Sequence, residues 1–473
     1  MARYILTDRY AFRGYKGLPY GLLDFARGTT SFMSEASYTL AVNCNGKVDM
    51  DREILPPVAQ KILDDWLKMG YIRECQGDEK LDPIQEYKFY NARYKEAVHW
   101  SITGHCNYRC KHCFMSAPHA LQGEPSFEDC VKMLDAFERC GIYNLHITGG
   151  EPLVRKDFWR LMDEVLLHGM GVQAIYTNGR LANDEFFDNL EKRYMNPTIQ
   201  FSFDGVGVHD WMRGVKGAQD DVVEAFRRCR ERGISFSCSM SLCKDNAPTI
   251  RETAKFLAEQ GCSHLKIGTA YEQGEWVNQP EHFLSQAETY ETFMEYIPQY
   301  FEDGCPIPLG LEGFFNYEKT KDGKSPITSA NEKNVPDDAF KRVKMCGHVR
   351  KSMYVSPVGN VLPCMSMIGL PIEEKFPNML ETPLEEILDR SLYMDIINYS
   401  IKDYMEHNPE CMECQYKNHC VGGCRAFAVR TSPDDYLGKD MWTCTYFKGG
   451  WMEKKNQLLK SLGIAPEETS KKG

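Results

Sequence analysis

No stretch of this 473-residue chain approaches the roughly eighteen consecutive apolar residues of a membrane helix, so no membrane-spanning role is expected. Positive charge is also in short supply. Acidic residues number 67 against 56 basic ones, giving a net charge of −11. A nucleic-acid partner is therefore not expected, because neutralising phosphates takes clustered Lys and Arg. The first residues contain no apolar signal core, and Asp8 and Arg9 interrupt them early. Internal repeats and low-complexity tracts are absent. These absences, with an apolar fraction of 42% and a charged fraction of 26%, lead to the expectation of a cytoplasmic globular protein of several domains. In that compartment thiols stay reduced, and clustered cysteines read as metal ligands rather than disulfides.

Cysteine is what the chain has in quantity. Of its nineteen, Cys44, Cys75, Cys130, Cys140, Cys229, Cys238, Cys243, Cys262 and Cys305 stand singly and read as small buried hydrophobes. The other ten form two constellations. Cys106, Cys110 and Cys113 make a C-x3-C-x2-C on the loop after a strand; Cys346, Cys364, Cys411, Cys414, Cys420, Cys424 and Cys444 lie towards the C-terminus. Three thiolates can hold a four-iron cluster and leave one iron open for chemistry. A structural zinc wants four closed ligands. No fourth cysteine adjoins the first set, although His105 or His112 could serve, and seven ligands do not divide into two closed zinc sites.

Between the constellations the chain alternates short β-rich runs with amphipathic helices. Strands are expected over 98–103, 144–148, 173–176, 199–203, 235–242 and 264–268, and helices over 127–140, 158–167, 185–193, 221–232, 250–260 and 286–301. Ser126 opens the first helix with a capping pattern, and Gly141, Gly169, Gly233 and Gly261 follow helix ends. Six β–α units in series predict a parallel α/β sheet in an incomplete, (β/α)6 barrel of the TIM type, with ligands at the carboxyl ends of its strands. Residues 1–90 differ: a strand pair, then a helix over 58–69 and a strand opening at 70–73, suggest a small winged-helix module. A polar excursion is expected over 318–338, a β-hairpin turning at Gly359-Asn360, and a frayed tail after Pro466. The expected division is 1–90, 95–310, 311–450 and a C-terminal helix and tail over 451–473.

Three polar turns follow consecutive strands. Thr148-Gly149-Gly150-Glu151-Pro152 follows the second, Thr177-Asn178-Gly179 the third, and Ser202-Phe203-Asp204-Gly205 ends the fourth. Glycines there admit close backbone approach, and Asn, Ser and Asp supply anchors. In register with the cysteine loop, they define one pocket.

C-x3-C-x2-C, G-G-E-P and S-F-D-G in this order resemble the radical S-adenosylmethionine (SAM) superfamily, and the seven-cysteine tail resembles its SPASM extension. The resemblance implies that Cys106, Cys110 and Cys113 hold a [4Fe–4S] cluster whose open iron chelates the amino and carboxylate groups of SAM. It implies that reduction yields a 5′-deoxyadenosyl radical that abstracts hydrogen from substrate. Gly149, Gly150, Glu151 and Pro152 would meet the amino group, and Asn178, Ser202 and Asp204 the ribose or carboxylate. Cys411, Cys414, Cys420 and Cys444 would close one auxiliary [4Fe–4S] cluster and Cys346, Cys364 and Cys424 the other, making three clusters. The turn at Asn43-Cys44-Asn45-Gly46 and the following helix resemble the PqqD-like leader-recognition module of peptide-modifying members.

The resulting expectation is a maturase of a ribosomally made precursor peptide, fed by a flavodoxin- or ferredoxin-type donor and forming a thioether or a carbon–carbon cross-link. No cysteine lies between Cys346 and Cys364 to complete that cluster's coordination. An open auxiliary iron suits a substrate thiolate and favours the thioether. An anaerobic sulfatase-type formylglycine maturase is the second enzymatic reading; Met365, where an Asp is expected after Cys364, counts against it. An iron–sulfur electron carrier would not need the strand-end pocket. No residue is singled out as the catalytic proton donor or acceptor.

Overall fold

In the computed structural model, residues 2–75, 79–119, 121–318, 327–328 and 334–464 are described. The N-terminal part opens with β1 (Arg3–Leu6), β2 (Tyr10–Tyr15), β3 (Leu18–Asp24) and β4 (Thr29–Phe32). Then come α1 (Glu35–Val42), α2 (Pro57–Met69), β5 (Ile72–Cys75) and β6 (Lys88–Tyr90). The expected helix and following strand are thus α2 and β5. However, β5 returns to pair with β1, and the β2–β3 hairpin precedes the helices instead of following them. A second sheet has the order β4-β3-β2-β6. Tyr4, Phe12, Leu22, Leu63 and Ile72 form a hydrophobic core of its own.

The barrel strands are β7 (Ala97–Ser101), β8 (Asn144–Thr148), β9 (Gly171–Thr177), β10 (Thr198–Ser202), β11 (Phe236–Leu242) and β12 (Leu265–Thr269). The helices between and after them are α3 (Phe127–Arg139), α4 (Phe158–Leu167), α5 (Asp184–Lys192), α6 (His209–Arg213), α7 (Ala218–Arg232), α8 (Ile250–Glu259) and α9 (Gln286–Glu302). Each expected strand and helix is present. The six strands are parallel to their neighbours and are extended on both sides. β13 (Leu309–Leu311) adds in parallel to β12 and β16 (Ser352–Val355) to β7. With β14 (Phe315–Tyr317), β15 (Ile327–Thr328) and β17 (Val361–Leu362) the sheet is eleven-stranded, and among the described residues β15 and β17 leave it open rather than closed. The architecture is a partial TIM-like α/β barrel. The hairpin expected at Gly359 is β16–β17, with Gly359 at φ +94. Most of the 318–338 excursion and the tail after Pro466 lie outside the described residues.

Alternation along the strands sorts the two faces. Trp100, Leu145, Ile147, Ile199, Phe201, Leu265 and Ile267 are fully buried in the same core as Phe137, Leu161, Phe187, Phe226 and Leu257 of the helices. The alternate positions His99, His146, Gln200, Ser239 and Lys266 face the lumen, which is polar. Eight of the nine single cysteines are buried and Cys305 is half-buried, in keeping with their reading as small hydrophobes.

Lys95 fastens β7 to the element that carries β16. Its Nζ donates to Val349 O at 2.8 Å and Arg350 O at 3.1 Å and lies 4.9 Å from the Tyr393 ring centroid. No carboxylate accompanies it in these contacts, and burial pushes its pKa down to about 7. The unfolded chain holds this proton up to about pH 10.4. Between pH 7 and that value the unfolded state binds more protons, so stability rises with pH across the window. Lys95→Met should flatten that rise, as measured by denaturation midpoints of wild type and variant between pH 7 and 10.

Candidate active site

The loop after β7 carries Cys106, Cys110 and Cys113 and is clamped by main chain from three directions. Gly150 N donates to Thr103 O and Glu151 N to His105 O, each at 2.8 Å. Lys111 N donates to Met212 O at 2.9 Å, and Glu275 N to Cys113 O at 2.9 Å. The approach is so close that a Cβ on Gly150 would stand 2.3 Å from His105 O, and one on Gly214 2.2 Å from Arg109 O. Only glycine fits there. The sulfurs are held individually: Tyr108 N donates to Cys106 Sγ at 3.4 Å, Ala117 N to Cys113 Sγ at 3.3 Å, and Arg213 Nη1 to Cys110 Sγ at 3.7 Å. Burial pushes Cys106 up to about 12 and Cys110 to about 11 and raises Cys113. Three recessed thiols with sulfur-directed donors suit a group that takes up thiolate charge.

The polar turns gather around this loop. The Glu151 carboxylate is 1% exposed and accepts from Thr177 Oγ1 at 2.8 Å and Asn178 N at 2.7 Å, tying the second strand end to the third. Burial pushes it up to about 7. Since the Gly150 and Glu151 amides already donate to the cysteine loop, what this turn can offer a ligand is carbonyl oxygen, which suits an ammonium group. Asn178 Nδ2 donates to Asn107 Oδ1 at 2.7 Å, so this side chain reaches the cysteine loop directly. Ser202 is half-buried at the end of β10, and Pro152 is buried in the turn.

Asp204 is placed differently from its expected role. It is 0% exposed, its Oδ1 accepts from Ser241 N at 3.0 Å and its Oδ2 lies 2.7 Å from Arg213 Nε. Burial would raise its pKa, but Arg213 and then His112 and His209 hold it below the usual range. Its carboxylate serves Arg213 rather than facing an open pocket.

The C-terminal cysteines sort into two electrostatic groups. Burial first, then nearby Cys424 and Cys346, push Cys364 up to about 12. Burial likewise lifts Cys420 to about 12, with Asp440 and then Cys411 and Cys444 contributing. Cys414 lies one turn from Cys411, its N–H donating to Cys411 O at 3.2 Å. Among the described residues no three His, Cys, Asp or Glu side chains gather tightly enough to chelate one ion.

Residues 100–257 match the family model of the Radical SAM superfamily, and residues 346–415 that of the SPASM iron-sulfur cluster-binding domain. This chain is a radical SAM enzyme with a SPASM domain. Its cofactors are accordingly of the iron–sulfur and SAM kind. It is 27% identical over 368 residues to the antilisterial bacteriocin subtilosin biosynthesis protein AlbA of Bacillus subtilis, covering 76% of this chain and 73% of that protein. It is 24% identical over 361 residues to an AdoMet-dependent heme synthase of Oleidesulfovibrio alaskensis, covering 74% and 87%. The fold is shared with Streptococcus suis SuiB in its complex with precursor peptide SuiA, at a TM-score of 0.63 and 16% identity, over 94% of this chain and 100% of that one.

Several residues at this radical SAM site had no sequence signal. Gln273 Nε2 donates to Ile368 O at 2.7 Å and Phe114 O at 3.4 Å, joining the first cysteine loop to the segment after Cys364. Arg430 Nη2 donates to Gln273 Oε1 at 3.1 Å, and its guanidinium sits 4.4 Å from the Tyr271 ring centroid. Tyr271 Oη donates to Glu312 Oε2 at 2.6 Å, and Lys266 Nζ to Glu312 Oε1 at 2.9 Å. Burial works to raise Glu312, but Lys266, Tyr271 and Arg430 together hold it below its usual range. Each is one polar residue whose partner is remote in the chain. Arg213 alone had a nearby hint, since it and Gly214 follow the S-F-D-G turn closely.

Replacing Cys106, Cys110 and Cys113 together by Ala should remove one cluster's worth of iron and sulfide and abolish 5′-deoxyadenosine formation. Any iron and sulfide held by the C-terminal cysteines should persist. Iron analysis with chromatographic assay of the nucleoside checks both.

Proposed function

We propose that this enzyme installs a thioether, from cysteine sulfur to carbon, in a ribosomally made precursor peptide. The supporting observation is the junction of Gln273 and Arg430, which brings the Cys113 loop and the Cys364–Ile368 segment to one edge of the barrel. Cys106, Cys110 and Cys113 would hold the cluster that binds SAM. Cys346, Cys364 and Cys424 would hold one auxiliary cluster, and Cys411, Cys414, Cys420 and Cys444 the other. Bound there, these groups and SAM supply hydrogen-atom abstraction and electron transfer. The chain's own part is to position and shield: the Gly149–Glu151 carbonyls would take the SAM ammonium, Asn178 and Ser202 would contact the ligand's polar groups, and the recessed lumen limits water. A flavodoxin- or ferredoxin-type protein would supply the electron.

The peptide substrate is supported by the names of AlbA and of the SuiB–SuiA complex. The proposed units are 1–90 for leader recognition, 95–310 for the radical SAM barrel, 311–450 for the SPASM domain and 451–473 for the closing helix and tail. Strand addition needs an exposed edge. β4, last in its sheet and partly exposed, offers one. Deleting residues 1–90 should therefore raise the dissociation constant for precursor while leaving uncoupled SAM cleavage largely intact. A folded truncation that binds and modifies full-length precursor normally makes the segment structural only.

The thioether is tested at the three-cysteine auxiliary set. A peptide thiolate is a soft ligand for an iron lacking a cysteine. Adding a cysteine-containing precursor should perturb the auxiliary cluster's electronic spectrum, and a Cys-to-Ser precursor should not. Unchanged spectra with both peptides, alongside a product joined carbon to carbon, reject the thioether.

A further inference from the structure

The Asp204–Arg213 ion pair is buried at both ends: Asp204 is 0% and Arg213 8% exposed, with Nε and Oδ2 2.7 Å apart. Taking two charges out of water is unfavourable, so such a pair is a poor source of stability by itself. This one has a third member. The Nη1 of Arg213 donates to Cys110 Sγ at 3.7 Å. The carboxylate is fixed from behind by Ser241 N, and its own backbone is fixed as well: Asp204 N donates to His209 Nδ1 at 3.0 Å and Asp204 O accepts from Asn246 Nδ2 at 2.9 Å. Backbone bonds then lock α6 to the cysteine loop, with Arg109 N donating to Arg213 O at 3.2 Å and Lys111 N to Met212 O at 2.9 Å. A guanidinium is thus carried on a rigid mount, its fork divided between a carboxylate and a sulfur. Of the three thiols in the loop, Cys110 is the one with a cation in hydrogen-bond contact; Cys106 and Cys113 receive backbone N–H groups.

We infer that Asp204 and Arg213 are positioning residues that set the reduction potential of the cluster at Cys106, Cys110 and Cys113. This rests on the proposal that those three thiolates are its ligands. Reduction adds negative charge to a cluster and its sulfurs. A fixed cation donating to Cys110 Sγ stabilises the reduced form, as charge-assisted hydrogen bonds to cluster sulfurs do. Asp204 holds the cation in place and cancels part of its charge. The two residues therefore act with opposite sign, which a packing role would not produce.

The test is a potentiometric titration followed by electron paramagnetic resonance on the full-length, cluster-loaded enzyme. The signal in question is the one that the Cys106/Cys110/Cys113→Ala variant lacks. If that variant keeps every signal, the ligand assignment itself fails, a result separable from those below. Arg213→Met should shift the midpoint to more negative potential, and Arg213→Lys should recover part of the shift. Asp204→Asn should shift it the other way. The auxiliary signals and the equilibrium dissociation constant for SAM should stay at wild-type values. Unmoved midpoints, shifts of one sign in Arg213→Met and Asp204→Asn, or weakened SAM binding as the sole change would each overturn the inference. Should Arg213→Met take up no cluster, Arg213→Lys and Asp204→Asn carry the same two signs; loss of the cluster in all three leaves only a packing role and overturns it.

Discussion

The arrangement depends on main chain meeting main chain around one loop. Cys106, Cys110 and Cys113 are fixed because carbonyls of their own loop are met by backbone N–H groups from the turns after β8 and β12, while loop amides are taken by the end of α6. Side chains would keep these segments apart. Glycine at 150 and 214 removes the obstruction, and the parallel sheet supplies the register that brings the turns to one edge. A loop held by backbone hydrogen bonds has few ways to move, so the three sulfurs are placed chiefly by main chain.

The same loop is where the chain tolerates unfavourable electrostatics. Glu151, Asp204 and Arg213 are all removed from water, and each is compensated in a different way. Glu151 is surrounded by neutral donors, and burial keeps its carboxyl well above the usual range. Asp204 faces a cation, which outweighs burial and keeps it ionised. A carboxylate's partner, more than its depth, decides its state. On the lumen side of the sheet, Lys266 and Glu312 keep side-chain exposures of 52% and 36%, yet Glu312 is still held ionised by its partners: Lys266, Tyr271 and Arg430 together outweigh the burial that would raise it.

Legibility in the sequence followed the range of the interaction. The barrel strands and helices could be read to within a few residues because alternation and helical periodicity are local, and caps such as Ser126 mark their ends. The family resemblance was legible because cysteine spacing is a property of the chain. Asp204 was legible as a polar residue at a strand end, but a pattern cannot say whether a carboxylate faces a cavity or a buried arginine nine residues on. Gln273, with partners at Phe114, Ile368 and Arg430, left no pattern at all. In the N-terminal part the helix and the strand after it were readable, whereas the pairing of β5 with β1 depends on contacts across the whole segment.

Those long-range contacts bear on how the two cysteine regions relate. Gln273 uses both ends of one amide: its nitrogen donates to carbonyls on either side, and its oxygen accepts from Arg430. Arg430 in turn donates to Ser366 O at 3.1 Å, two residues beyond Cys364. At 6% exposure the Gln273 amide has little access to water, so separating the two regions would leave buried donors and acceptors unmatched on both sides. The Cys113 loop and the Cys364 segment are therefore coupled through hydrogen bonds that cannot be exchanged for solvent without unfavourable desolvation. Such a coupling fixes the separation of the two cysteine regions, and it is directional because each hydrogen bond it uses has one donor and one acceptor on opposite sides.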